Sequence, residues 1–504
     1  MKKILFFDTT LRDGEQMAGV NINISDKLRV ANLLCEMGVD VIEAGFPCSS
    51  KNDFSATSKI ASALKDCSVA GLSRAAFSDI DICWDAIKNS ESPRIHVFVA
   101  TSDIHLKYKL KKSRDEILRM VSESVAYAKK YCSDVQFSAE DASRTDNDFL
   151  VKVFETAIKA GAKTVNIADT VGFATPFDFE KKIRYVFENT SGMEKAALAV
   201  HCHNDLGLAA SNTLAGISGG ATQVDCTING IGERAGNASL EELAMILSVR
   251  KDLFGVEHGI NTKLLTKASK LVSNLTGVYV AQNKPIVGSN VFAHESGIHQ
   301  HGMMASRGTY EIFSPLDVGS RGDSIVLGKH SGHHAFNNKV EELGIHTTPD
   351  VLKTAFSSFK DLSCRKRHVS EKDIIALVEE AILDSRVVNG YELESYQIQC
   401  SNSIRSMAMV SLTKDEKVFE DAAIGNGPIE AVFNAVNKIV GKEYHLISYE
   451  IKAVTGGTDA VGEVRVRICD ENGEHPGRGF STNILESSIK AYVNAINKAL
   501  YYCE

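Results

Sequence analysis

Over roughly its first 250 residues the chain repeats one unit: a short apolar run, a polar turn, then a stretch with helical spacing. The apolar runs span residues 4–7, 39–44, 69–72, 95–100, 135–137, 164–168, 198–203 and 223–228. Between or after them lie segments such as 26–37, 114–130, 146–159 and 239–249, where apolar residues recur at helical intervals. Asp26, Asp146 and Ser239 stand near the expected helix starts. Eight such alternations predict a parallel sheet buried on both faces. Closed on itself, that sheet is a (β/α)8 TIM barrel, whose usual length is about 250 residues; an open doubly wound sheet is the alternative. The polar residues decide. Asp8, Arg12 and Asp13, Glu43, Arg74, Thr101, Glu140, Asp169 and Thr170, His203, then Asn229 follow the ends of successive runs. A barrel gathers reactive side chains from the C-terminal ends of many strands, whereas an open sheet uses one crevice, so a barrel is predicted over residues 1–252 and adjoining positions.

Past residue 252 the pattern changes. Residues 253–388 hold a helix-like stretch at 263–275, Gly- and His-rich segments at 288–308 and 328–334, and further helical spacing without strand patterning. They are read as a linker and a small helical subdomain. Residues 389–504 repeat internally: FNAVNKIV at 433–440 returns as VNAINKAL at 493–500. Strand-like stretches precede each copy, at 393–400, 405–412 and 418–424, then at 444–454, 462–469 and a shorter 478–482. Two βββα units in a C-terminal α+β domain are predicted. The copies hold no nucleophile or ligand cluster, so binding or assembly is expected of them.

Several function classes are excluded by composition. The net charge is −8 with no basic stripe, which argues against a nucleic-acid partner. No apolar run approaches the ~18–20 residues of a membrane span. Before Asp8 the only apolar run is 4–7, too short for a signal segment, so a cytoplasmic protein is expected. The 11 cysteines are scattered singly, as reduced packing residues are.

The run AVHCHND (199–205) places His201 and His203 on one strand face and Cys202 on the other. Such a pair is either a hydrogen-bonded couple or half of a metal site. Barrel closure would bring Asp13, in DTTLRDGEQ, beside it, and Asn237, at the end of NGIGERAGN, would add an oxygen. That mixed set suits Mn2+, Zn2+, Co2+ or Mg2+ without choosing among them, and leaves room for a chelating substrate. Gly230, Gly232 and Gly236 fall as GxGxxxG, unlike the GxGxxG of a dinucleotide turn. They form either a backbone nest for coenzyme A or a tight turn delivering Asn237.

DTTLRDGEQ (8–16), HCHND (201–205), GIGERAGNASLEE (230–242), HESGIHQ (294–300) and LGKHSGHHA (327–335) resemble, in order, the signatures of the isopropylmalate and homocitrate synthase family. Its members are metal-dependent, Claisen-condensing barrels, and the repeat domain here is similar to the family's leucine-binding regulatory domain. The resemblance covers essentially the whole chain. It implies a metal held by Asp13, His201, His203 and Asn237. It implies that Arg12 stabilises the oxygen that gains charge as the enolate of acetyl-CoA attacks a 2-oxo acid. Glu140, His299 and Tyr310 form the implied acid–base set, with the enolising base left open. Leu72, His96, Ser138, Asn166 and Thr170 are the implied 2-oxo acid pocket. The small Ser138 favours 2-oxoisovalerate over the pyruvate of citramalate synthases; homocitrate synthesis from 2-oxoglutarate is a further alternative. Leucine is the implied effector and a homodimer the implied assembly. His330, His333 and His334 read as linker residues that hydrogen-bond locally. A non-catalytic, amino-acid-sensing metal protein is the alternative of a different class; the presence of both Arg12 and Glu140 speaks against it.

Overall fold

Short runs rich in β-branched and aromatic residues, bounded by polar turns, become strands. They are β1 (Leu5–Asp8), β2 (Val41–Glu43), β3 (Ser68–Arg74), β4 (Pro93–Ala100), β5 (Val135–Glu140), β6 (Thr164–Asp169), β7 (Ala197–Cys202) and β8 (Gln223–Cys226). These eight close into a parallel barrel, sealed by β8 against β1 with Phe7 opposite Asp225 and Asp8 opposite Cys226. The helices α1 (Ile24–Glu36), α2 (Lys51–Ala63), α3 (Phe77–Ile87), α4 (Arg114–Tyr131), α5 (Asn147–Ala160), α6 (Pro176–Asn189), α7 (Ala209–Gly219) and α8 (Leu240–Val249) follow the strands in turn. The predicted barrel is the observed one. The computed structural model describes all residues except 295–298, 300, 301, 304, 321–330, 366–368, 385–389, 403–404, 454–461, 472 and 502–504. It divides into two units, Met1–Ala293 with Glu311–Asp323, and His294–Tyr310 with Ser324–Glu504.

Strand alternation sorts the barrel's side chains into two shells. Phe6, Ile42, Val97, Phe137, Val165, Val200 and Val224 point outward and pack with the helices into one core. Helix α9 (Leu265–Thr276) adds Leu265, Ala268 and Val272 to it. Inside, Phe7, Val41 and Ala70 form a small apolar cluster. Near the N-terminal strand ends the lumen is polar instead: Arg94 donates to Gln136 at 3.1 Å and to Gln223 at 2.8 Å.

Some boundaries differ from expectation. Helix α1 starts before Asp26 because Asn23 is the cap, its side chain accepting from the Asp26 N–H. Asp146 caps α5 as expected. Val256–Glu257 pairs in parallel with Lys2–Lys3, a two-residue strand too short to show a period.

In the second unit, α10 (His333–Glu342), α11 (Pro349–Arg365) and α12 (Glu371–Asp384) share a core that includes Phe336, Phe359 and Val378. Two antiparallel sheets follow, β9 (Glu392–Gln399), β10 (Ser406–Lys414) and β11 (Lys417–Gly425), then β12 (His445–Ala453), β13 (Gly462–Asp470) and β14 (Gly473–Ser481). Each ends in a helix, α13 (Pro428–Val440) and α14 (Ile484–Tyr501), and Phe433 of one stacks on Tyr492 of the other at 3.9 Å. Strand β14 is longer than its glycines suggested. A Cβ at Gly477 would meet the Ala491 carbonyl oxygen at 2.1 Å, so glycine here lets α14 lie directly on the strand. Pro476 is tolerated because β14 is an edge strand. Among the described residues no helix is long and apolar enough to cross a membrane.

Candidate active site

The inward-facing positions near the C-terminal strand ends converge on one cavity of about 230 Å3. Arg12, Asp13, Leu72, His96, Ser138, Glu140, Asn166, Thr170, His201 and His203 all line it, drawn from six different strands and the turns beyond them. Period-2 alternation explains the set: 136, 138 and 140 share a face, as do 166 and 168, and 201 and 203.

At its deepest corner, Asp13, His201 and His203 are almost fully buried. The two Nε2 atoms lie 3.2 Å apart, and Asp13 Oδ2 is 3.7 Å from that of His201 and 3.6 Å from that of His203. Burial works to raise the Asp13 carboxyl, but Arg12, His201, His203 and Asn237 together hold it well below the usual carboxylate range. Burial, then His201, pushes His203 down to about 4, so near neutral pH this ring keeps a free lone pair. Asn237 Nδ2 donates to Asp13 Oδ1 at 2.8 Å and to the Ile231 carbonyl at 3.2 Å, while its Oδ1 is buried without a partner. An orphaned amide oxygen beside a carboxylate and two facing imidazoles fits a divalent cation. His203 lies one residue past β7, where a single bridge pairs it with Asn237.

From Asp13 a chain of polar contacts runs around the lumen. Arg12 Nη1 donates to Asp13 Oδ2 at 2.6 Å and its Nε to Glu43 Oε2 at 2.5 Å. Glu43 Oε1 meets His96 Nδ1 at 2.5 Å, and His96 Nε2 meets Ser138 Oγ at 2.6 Å. Asn166 Nδ2 donates to Ser138 Oγ and to Asp225 Oδ2, both at 2.9 Å. Burial would raise Glu43, yet Arg12 and His96 hold it down to about 2, so it is a permanent anion between them. At the rim, Glu140 Oε1 accepts from Lys109 at 2.5 Å, and Thr170 Oγ1 accepts from the Asp141 N–H at 2.9 Å. A second cavity, of about 590 Å3, shares Arg12, Gln16 and Phe46 with the first. His299 and Tyr310 lie in the second unit, where their rings are 4.4 Å apart. His330 and the side chain of His334 lie outside the described residues; His333 Nδ1 is 3.1 Å from Asn337 Nδ2.

An HMGL-like family model matches residues 3–272, a homocitrate synthase post-HMGL domain-like model residues 286–367, and a LeuA allosteric (dimerisation) domain model residues 368–500. The 2-isopropylmalate synthase of Ruminiclostridium cellulolyticum is 51% identical over 99% of this chain and 98% of its own length. That of Carboxydothermus hydrogenoformans is 52% identical over the same shares, and that of Dictyoglomus turgidum 50%. The chain belongs to the 2-isopropylmalate synthase family. In this family member, the GIGERAG glycines build a turn that closes on itself. A Cβ at Gly232 would meet Asn237 Nδ2 at 1.9 Å, and one at Gly236, where φ is +91°, would meet the Gly230 carbonyl oxygen at 2.0 Å. Sequence reasoning placed Glu43 at a strand end without giving it a role and passed over Asp225. A charged residue at an inward position of a buried strand was the available signal for both.

Proposed function

We propose that the barrel catalyses the reaction for which its relatives are named, a Claisen-type acyl transfer from acetyl-CoA to 2-oxoisovalerate followed by thioester hydrolysis. The observation that carries this reading is the convergence of Asp13, His201 and His203 with Arg12 and Glu140 on one cavity. Those three residues and the Asn237 amide oxygen would hold a divalent cation, which would supply Lewis-acid polarisation of a 2-oxo acid. Arg12, fixed between Asp13 and Glu43, stabilises charge that grows on the keto oxygen. Glu140, at the rim, serves with His299 and Tyr310 in the acid–base set that removes an acetyl proton and later assists water. His96, Ser138, Asn166 and Thr170 orient the 2-oxo acid, and Leu72 packs on its alkyl part. The adjoining cavity offers the thioester arm of acetyl-CoA a route to Arg12. We read residues 389–504 as the regulatory domain, with leucine as effector and a homodimer as the assembly; the match to a LeuA allosteric (dimerisation) domain supports this. The scattered cysteines favour the cytoplasm.

The test is free-thiol release from acetyl-CoA with Mn2+, Mg2+ or Zn2+ across pyruvate, 2-oxoisovalerate and 2-oxoglutarate. Strong turnover with 2-oxoisovalerate is expected. Preference for pyruvate would move the protein to citramalate synthesis, and no thiol release from folded, metal-loaded protein would favour a sensor.

A further inference from the structure

Asp225 stands in the middle of β8, an all-parallel strand position that ordinarily carries an apolar residue. It is 1% exposed and faces the lumen. Its Oδ1 accepts from Gln223 Nε2 at 3.2 Å. Its Oδ2 accepts from Asn166 Nδ2 at 2.9 Å and lies 3.3 Å from His201 Nδ1. The opposite nitrogen of that imidazole, Nε2, is the one that faces His203 and Asp13. An ionised carboxylate has only lone pairs to present, so Nδ1 meets it favourably when Nδ1 carries the ring proton. The lone pair is then on Nε2, pointed at the Asp13 cluster. His203 lacks such support, since its Nδ1 is buried without a partner.

We propose that Asp225 is a positioning residue: it sets the His201 tautomer that offers Nε2 to a divalent cation and, through the same oxygen, holds Asn166 against the 2-oxo acid cavity. This rests on reading Asp13, His201 and His203 as a cation site. Metal-ligating histidines characteristically give their second N–H to a carboxylate, carbonyl or water, and losing that partner weakens metal binding. A purely structural Asp225 would matter to folding alone, by joining β8 to the Gln223–Gln136–Arg94 cluster in the lumen.

The near-isosteric Asp225→Asn separates the two roles. Its amide must turn an N–H either toward Gln223 Nε2 or toward Asn166 Nδ2 and His201 Nδ1, so one donor meets another. Mn2+ binding to the metal-free full-length chain, measured by titration calorimetry without substrate, is expected to weaken by about 10- to 100-fold, with the thermal midpoint of the metal-free protein near wild type. An unchanged Kd overturns the proposal, whether or not the midpoint falls. If the variant does not fold, wild-type protein decides by 15N NMR of labelled histidine at pH 8. A metal-free His201 protonated on Nδ1 supports the assignment, and one protonated on Nε2 overturns it. Failure of the cation-site reading appears separately, as wild-type protein that binds no Mn2+; the tautomer measurement then judges Asp225 alone.

Discussion

Glu140 touches the cavity without touching the buried Asp13 cluster, and Lys109 holds it at the rim. Glu140→Gln is therefore expected to keep Mn2+ affinity while lowering kcat by about 10²- to 10⁴-fold, the usual contribution of an acid–base group. Near-normal thiol release from this variant would take Glu140 out of the mechanism. Asp8 does a different job. Its two oxygens accept from the Thr10 N–H and Oγ, both at 2.9 Å, and shape the turn that aims Arg12. Burial, with Glu241 and Glu43 near, pushes its carboxyl up to about 7. The unfolded chain releases that proton near pH 4 and the folded chain only near pH 7, so stability falls as pH rises through this window and then levels off. Urea unfolding should show a loss on the order of 2–4 kcal/mol from this residue, and Asp8→Asn should flatten the profile and be the more stable form at pH 8. An equally steep profile in the variant would assign the slope elsewhere. At this scale the ligand-type residues were legible because their motifs are contiguous. Glu43 and Asp225 acquire their meaning only from partners on other strands.

The element that matters most to the site is the turn from Gly230 to Asn237. Two stitches hold it against the end of β7: the Asn204 N–H donates to Gly236 O at 2.9 Å, and the Ala238 N–H to Cys202 O at 3.1 Å. Gly232→Ala puts a methyl where the Asn237 amide lies, so Mn2+ affinity by calorimetry should drop by at least about tenfold, as loss of support to a ligand does. Wild-type affinity would mean that Asn237 has freedom to move aside. In the second unit, Gly477→Ala drives a methyl into the Ala491 carbonyl under α14 and should destabilise the C-terminal domain by about 1–3 kcal/mol, the range for overpacked sites. Differential scanning calorimetry would check it; an unshifted transition would show that helix and strand can part cheaply. Strand positions were readable from apolar runs, but only the end of β14 was, because its glycines look like breakers when the helix above them is not yet known.

The whole molecule joins a (β/α)8 barrel to a unit matching a LeuA allosteric (dimerisation) domain. Leucine is expected to slow thiol release by the full chain, which should sediment as a dimer. A chain ending near residue 388 should lose leucine sensitivity, with activity and size followed together. An active truncated chain that still responds to leucine would locate the effector site elsewhere. Sequence by itself determined the barrel and the βββα repeats, because hydrophobic periodicity is local and each short run can be buried in few ways. It also determined which face each lumen residue takes, since alternation has period 2. Only the tertiary structure decided the partners: the path from Asp13 through Arg12, Glu43, His96, Ser138 and Asn166 to Asp225 and His201 crosses strands far apart in the chain. Those contacts depend on the register and closure of the barrel. Both are set by the packing of all eight units at once, which no single stretch of sequence contains.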